Sequence, residues 1–197
     1  MGFLGSKDEG VAVPKSWKSA APLLRWQVQR RGWVELASLA ARASGVSAST
    51  ASLVHDTLGE QTVLALVVEV RDQVVGVTEA DLAGWGVTRD RAATTARLNL
   101  GERIDWKSSG AATSPVTVLS AEDDFAAARF LIDPHGAGIP FIASPVAFVV
   151  DQHTVVVLPA AHREALAGPT FSLAVTLMES TPRPLLAEPL VFDGKAW

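Results

Sequence analysis

The chain predicts an α+β fold: an antiparallel sheet built from ββα-like hairpin units with flanking helices, plus an N-terminal helical segment. Three observations carry that prediction. Valine- and leucine-rich runs of strand length flank a short polar break twice, at residues 63–77 and again at 146–158. Helix-start chemistry follows each of these hairpins. Finally, 48% hydrophobic residues against only 19% charged ones, over 197 residues, supply material for one sizeable core.

Taken in order, residues 1–15 contain Gly2, Gly5, Gly10 and Pro14 and read as a loose arm. Residues 16–43 carry Leu23, Trp26, Trp33, Leu36 and Ala40 at spacings of three, four and seven, which predicts a helical pair broken near Gly32. Residues 44–61 are a linker or a short helix. The domain division follows: residues 1–57 as an arm and helical segment packed on or appended to the rest, and 58–197 as the α+β domain.

In the first hairpin, residues 63–70 and 74–77 are the strands and Arg71-Asp72-Gln73 is the turn. Thr78 with Asp81 three residues on predicts a capping box, because the hydroxyl accepts one orphan helix amide and the carboxylate accepts the amide of the cap itself. Leu82 and Trp85 give that helix its apolar face, with Gly84 and Gly86 to stop it. Thr88 caps a second helix, with Ala92, Ala96 and Leu100 at four-residue spacing and Gly101 at its end.

Further on, residues 116–119 predict a strand, and Ser120 with Asp123 a second capped start for a helix over 125–131. Asp133-Pro134-His135-Gly136-Ala137-Gly138 is a turn-rich loop. The second hairpin turns at Asp151-Gln152-His153, Pro159 opens a helix ending at Gly168, and residues 171–177 predict a final core strand. Pro182, Pro184 and Pro189 hold an extended edge or tail. Both hairpin units end in Leu-Ala-Gly, at 82–84 and 166–168; duplication and convergent ββα chemistry each produce that text.

Composition excludes several function classes. The chain has no cysteine, which removes disulfide scaffolds, thiolate metal sites and a cysteine nucleophile, and suits a cytoplasmic location. No apolar run reaches membrane-spanning length, so no transmembrane segment is expected, and Lys7, Asp8 and Glu9 stand where a signal peptide needs its apolar stretch. The net charge of −4 is uneven. Residues 1–45 hold seven Lys or Arg against three acids, and the remainder ten against eighteen. An acidic folded domain is a poor nucleic-acid binder, so no nucleic acid is expected as a partner.

No set of residues carries a catalytic signature. The four histidines, at 55, 135, 153 and 162, include no pair at the i, i+4 spacing of helical metal ligands, so neither a metal nor a cofactor is expected. Asp133 with His135 and Asp151 with His153 are weak candidates for a base held by a carboxylate. The commoner outcome of such sequences is an aspartate that initiates a turn beside a solvated histidine. No serine lies in a Gly-x-Ser-x-Gly elbow, and Gly136-Ala137-Gly138 lacks the length and the lysine of a phosphate cradle. Glu79, Asp81, Asp123 and Asp124 would hold Mg²⁺ only by converging, whereas capping already occupies two of them.

One family resemblance emerges. Val74-Val75-Gly76-Val77-Thr78-Glu79-Ala80-Asp81-Leu82, then Trp85-Gly86-Val87 and a helix closing in Leu98-Asn99-Leu100, resembles the signature of the YtpQ family, bacterial cytoplasmic proteins with no assigned reaction. Asp124-Phe125-Ala126-Ala127-Ala128-Arg129 resembles the family's Asp-Ala-Ser/Ala-Arg helix, Ala143-Ser144-Pro145 its Val-Pro strand, and Ala174-Val175-Thr176-Leu177 its closing strand. The similarity spans roughly residues 60–192. After the proline, where the family has a polar or charged pair and an aspartate, this chain has Val146-Ala147-Phe148. The resemblance implies fold and compartment more than activity.

The expectation that results is a non-catalytic protein-interaction or ligand-binding module, with Trp26, Arg30, Arg31 and Trp33 as the docking residues for an unknown protein partner. Two others stand beside it. A small hydrolase or nucleotide-processing enzyme requires Asp133, His135, Asp151 and His153 to line one pocket. A peripheral membrane protein requires Trp17, Trp26 and Trp33 to be exposed on one side. Oligomeric state is not legible.

Overall fold

Residues 24–30, LRWQVQR, alternate apolar and polar, and the computed structural model makes them a strand, not the helix expected over this stretch. The structure describes residues 12–71, 73–101, 104–109, 115–134, 145–185 and 188–192. A short helix α1 (Trp17–Ala20) is capped by Ser16, and a 3-10 turn containing Pro22 delivers the chain into β1 (Leu24–Arg30). The spacing of seven between Trp26 and Trp33 suits a helix, but Leu24, Trp26 and Val28 obey period two, and all three are fully buried. Helix α2 (Arg31–Ala43) begins directly after the strand, and Gly32 lies inside it instead of breaking it.

Next come β2 (His55–Thr57), β3 (Thr62–Val70) and β4 (Gln73–Gly76). Strand β3 is the axis of the first sheet. Antiparallel β1 covers one of its edges from Leu24↔Val68 to Arg30↔Thr62, and β2 and β4 share the other. Burial on both faces explains the unbroken apolar run from Val63 to Val68. Both β1 and β2, which precede residue 58, thus pair with β3 in one sheet.

The predicted capping box is present on α3 (Glu79–Trp85): Thr78 Oγ1 accepts from Asp81 N at 3.2 Å, and Asp81 Oδ2 accepts from Thr78 N at 2.8 Å. Gly86, at φ 65°, ends the helix in the left-handed conformation, and Gly84 lies within it. Thr78→Ala is expected to cost about 1 kcal/mol, read as a lowered urea midpoint with unchanged slope. Helix α4 (Arg89–Leu100), capped by Thr88, packs across β1 through Ala92, Ala96 and Leu100. Asn99 Nδ2 reinforces that contact by donating to the carbonyls of Ala21 and Leu24.

The second sheet has the order β5-β6-β8-β7-β9, from β5 (Lys107–Ser109), β6 (Thr117–Ser120), β7 (Val146–Val149), β8 (Thr154–Leu158) and β9 (Pro189–Val191). Between β6 and β7 lies α5 (Ala126–Ile132); α6 (Arg163–Glu179) follows β8. Period-two alternation sorts the hairpin side chains into two layers. Ala147, Val149, Val155 and Val157 join the core shared with the first sheet, while Val146, Phe148, Val150, Val156 and Leu158 face α6. The residues after Pro145 are therefore core of the sheet on both faces.

Three further expectations are corrected. Residues 171–177 are not a strand: they form the second half of α6, which runs through Gly168 and Pro169. Phe171, Leu173, Val175 and Leu177 do alternate, but Thr170 and Ala174, four apart, are the buried pair, which is the helical period. The segment likened to the YtpQ closing strand is thus helical. Neither Leu-Ala-Gly ends its unit, since Gly84 and Gly168 are both internal to their helices. Ser120 is a strand residue, not a cap; Asp123 serves α5 instead, accepting from Phe125 N at 2.8 Å and pairing with Arg129 Nε at 2.6 Å.

Candidate functional site

The turn Asp151-Gln152-His153 was a weak candidate for a base held by a carboxylate, and the geometry separates the two. Asp151 is buried, with Oδ1 accepting from His153 N at 2.8 Å and Oδ2 from Thr181 Oγ1 at 2.6 Å. Its task is to shape the turn and anchor the chain beyond α6. Gln152 Nε2 donates to Val28 O at 2.6 Å, tying the second sheet to β1.

The His153 ring meets a different acid. Its Nε2 lies 3.2 Å from Asp124 Oδ1, with side chains 45% and 70% exposed. His153 also lines an open depression of about 420 Å³, together with Lys107, Ser120, Ala121 and Glu122. Lys107 and Glu122 pair at 2.7 Å; the ammonium holds the Glu122 carboxyl below its usual range and the carboxylate raises Lys107. Both are fully exposed, so the pair is a solvated surface contact.

Asp133 is exposed at the C-terminal end of α5, a helix of about 10 Å that begins just after Asp124. His135 lies outside the described residues. Of the three weak catalytic candidates among the described residues, only His153 lines the depression. Among the described residues, no group of three His, Asp or Glu side chains can hold a metal ion, so Glu79, Asp81, Asp123 and Asp124 do not converge.

The expected docking set resolves differently. Trp26 is wholly buried in β1, its Nε1 donating to Ala93 O at 3.2 Å, and offers no surface to a partner. Trp33 is half-buried over Gly76, where an added Cβ would come within 3.2 Å of the indole and 2.7 Å of Leu53. Trp17 is half-buried too, its ring 6.1 Å from that of Trp85 and beneath the Arg91 guanidinium at 5.3 Å. The three tryptophans therefore do not form the exposed face that the membrane expectation requires. Among the described residues, no helix is long and apolar enough to cross a membrane.

Arg30 and Arg31 act as a frame. Arg30 Nη2 donates to Pro184 O at 2.7 Å, and Arg31 Nη2 to Gly59 O at 3.2 Å. The carboxylate of Glu188 sits against the same turn, both oxygens accepting from Gln61 N at 3.3 Å. A Cβ at Gly59 would meet that carboxylate, which would have to shift.

This frame walls an open groove of about 480 Å³, lined by Phe171, Val175, Met178 and Glu179 of α6 with Pro184, Glu188 and Gln61 opposite. The groove floor is apolar, and Phe171 remains 47% exposed although its ring touches Phe148 at 6.2 Å. The spacing of Phe171, Val175 and Met178, at i, i+4 and i+7, was the sequence signal for it. Reading those residues as a strand hid the stripe.

No family model, curated protein or solved structure matches this chain.

Proposed function

We propose that this chain is a non-catalytic interaction module that docks an apolar, basic-flanked protein segment in the groove between α6 and the side formed by Gln61, Pro184 and Glu188. The observation that carries this is the groove itself: Phe171, Val175 and Met178 present an apolar floor, and Glu179 and Glu188 supply negative charge beside it. An amphipathic helix with anchors at i, i+3/i+4 and i+7 and flanking Lys or Arg is complementary in shape and sign. The reading extends to a cytoplasmic protein related to the YtpQ family, supported by the capped hairpin unit at 74–100 and the absence of cysteine.

The test is selection of helical peptides from a displayed library against the native chain, counter-selected on Met178→Glu. Recovered peptides are expected to be basic, with apolar anchors at helical spacing, and to bind Met178→Glu and Val175→Glu at least about tenfold more weakly. Peptides that ignore both substitutions, or a selection that yields none, would remove the groove as the docking site.

A further inference from the structure

The geometry points to a self-association surface on α2, through which two copies of this chain pair by antiparallel packing of Leu36, Leu39, Ala40 and Ala43. This goes beyond the α6 groove and does not depend on it.

Helix α2 has two apolar faces. Val34, Ala37 and Ala41 turn towards the sheet, where Val34 is buried and Ser38 Oγ accepts from Leu53 N at 3.2 Å. At 100° per residue, positions 36, 39, 40 and 43 fall on the opposite side. Leu36 is 69% exposed and Leu39 56%, and Ala40 and Ala43 are exposed as well. Two large apolar side chains at i, i+3 on the outer face of a helix are a seam that no element among the described residues covers.

Charge identifies what covers it. Glu35 and Arg42 are seven residues apart on one flank of this stripe, both exposed, and neither is in an ion pair among the described residues. They hold equivalent positions beside a 36/39/43 seam, and in an antiparallel pair equivalent flanks of the two helices meet. With the two-fold axis between Leu39 and Ala40, Leu36 stacks over Ala43 of the second copy and Leu39 lies beside its Ala40, so each large side chain meets a small one. Glu35 then lies within ~3 Å, along the helix axis, of Arg42 from the second copy, and the reciprocal pair forms by symmetry. A parallel pair would set these charges against Ala40 and Trp33 instead. The face is thus complementary to itself, in one orientation.

A single pair of helices covers less than the ~1,200 Å² of a standard interface, which makes dissociation micromolar and not nanomolar. Sedimentation equilibrium on the full chain from about 1 µM to about 500 µM reads it directly. The native chain is expected to shift from monomer to dimer across that range. Leu39→Glu weakens association by at least about tenfold, Glu35→Arg and Arg42→Glu each weaken it, and the Glu35→Arg/Arg42→Glu double variant recovers it. All three substituted residues are exposed, so helix content and melting temperature should stay at native values, which separates loss of pairing from loss of fold. A chain that stays monomeric throughout, a dimer indifferent to Leu39→Glu, or a double variant no better than its singles would each overturn the proposal.

Discussion

A chain that begins at Ser44 is expected to be unfolded: no cooperative thermal transition, and near-UV dichroism flattened to that of a disordered polypeptide. The argument rests on β1. It pairs with β3 along almost the whole length of that strand, from Leu24↔Val68 to Arg30↔Thr62. Removing it strips an edge of backbone partners and uncovers the sheet beneath α4 and α5, both of which pack on β1. Leu24, Trp26 and Val28 are each fully buried, and together they contribute about 6 kcal/mol of transfer free energy. A domain of this size has a net stability of about 5–15 kcal/mol, so the loss of this strand with its hydrogen bonds consumes most or all of it. The Gln152 bond to Val28 and the Asn99 bond to Leu24 go with it, loosening the second sheet and α4. A truncated chain that melts cooperatively would show that residues 1–43 are an appended element after all.

The reason β1 was illegible is physical. Its seven residues sit between two helical stretches, and Leu23, Trp26, Trp33 and Leu36 fall at helical intervals across both boundaries. Periodicity measured across a boundary mixes two repeats, and only the inner positions 24, 26 and 28 report the strand. Residues 171–177 failed in the opposite direction, since alternating Phe171, Leu173, Val175 and Leu177 imitate a strand while the surrounding residues continue a helix. Where local chemistry is decisive the sequence sufficed: the hairpins at 63–77 and 146–158, the Thr78 capping box and the Thr88 cap are all in place.

The candidate sites were less legible because surfaces are assembled from distant segments. Arg30 and Arg31 were singled out as docking residues, yet their guanidinium groups hold Pro184 and Gly59, 154 and 28 residues away. Nothing in the spacing of either arginine encodes those partners. The same holds for His153, whose neighbour in the chain, Asp151, is occupied by Thr181, and whose ring instead meets Asp124 across the sheet edge. A turn motif states which backbone amide an aspartate will accept; it does not state where the next side chain points.

Trp26→Ala is expected to destabilise the domain by about 3–5 kcal/mol, a loss that lowers the thermal midpoint of a chain this long by roughly 10 °C. The indole is fully buried between β3 and α4, so truncation removes its contacts and leaves a void that the flanking Leu24 and Val28, themselves held in the strand ladder, cannot close. Trp26→Phe separates volume from polarity. It keeps most of the apolar bulk but removes the Nε1 donation to Ala93 O, and is expected to cost about 1–2 kcal/mol. Urea denaturation of the three proteins, with the slope held constant, gives both increments. If the alanine variant lost less than about 1 kcal/mol, the cavity argument would fail and the tryptophan would have to be solvated. It would then again be available to a partner, which is the docking role that its burial in β1 now denies it.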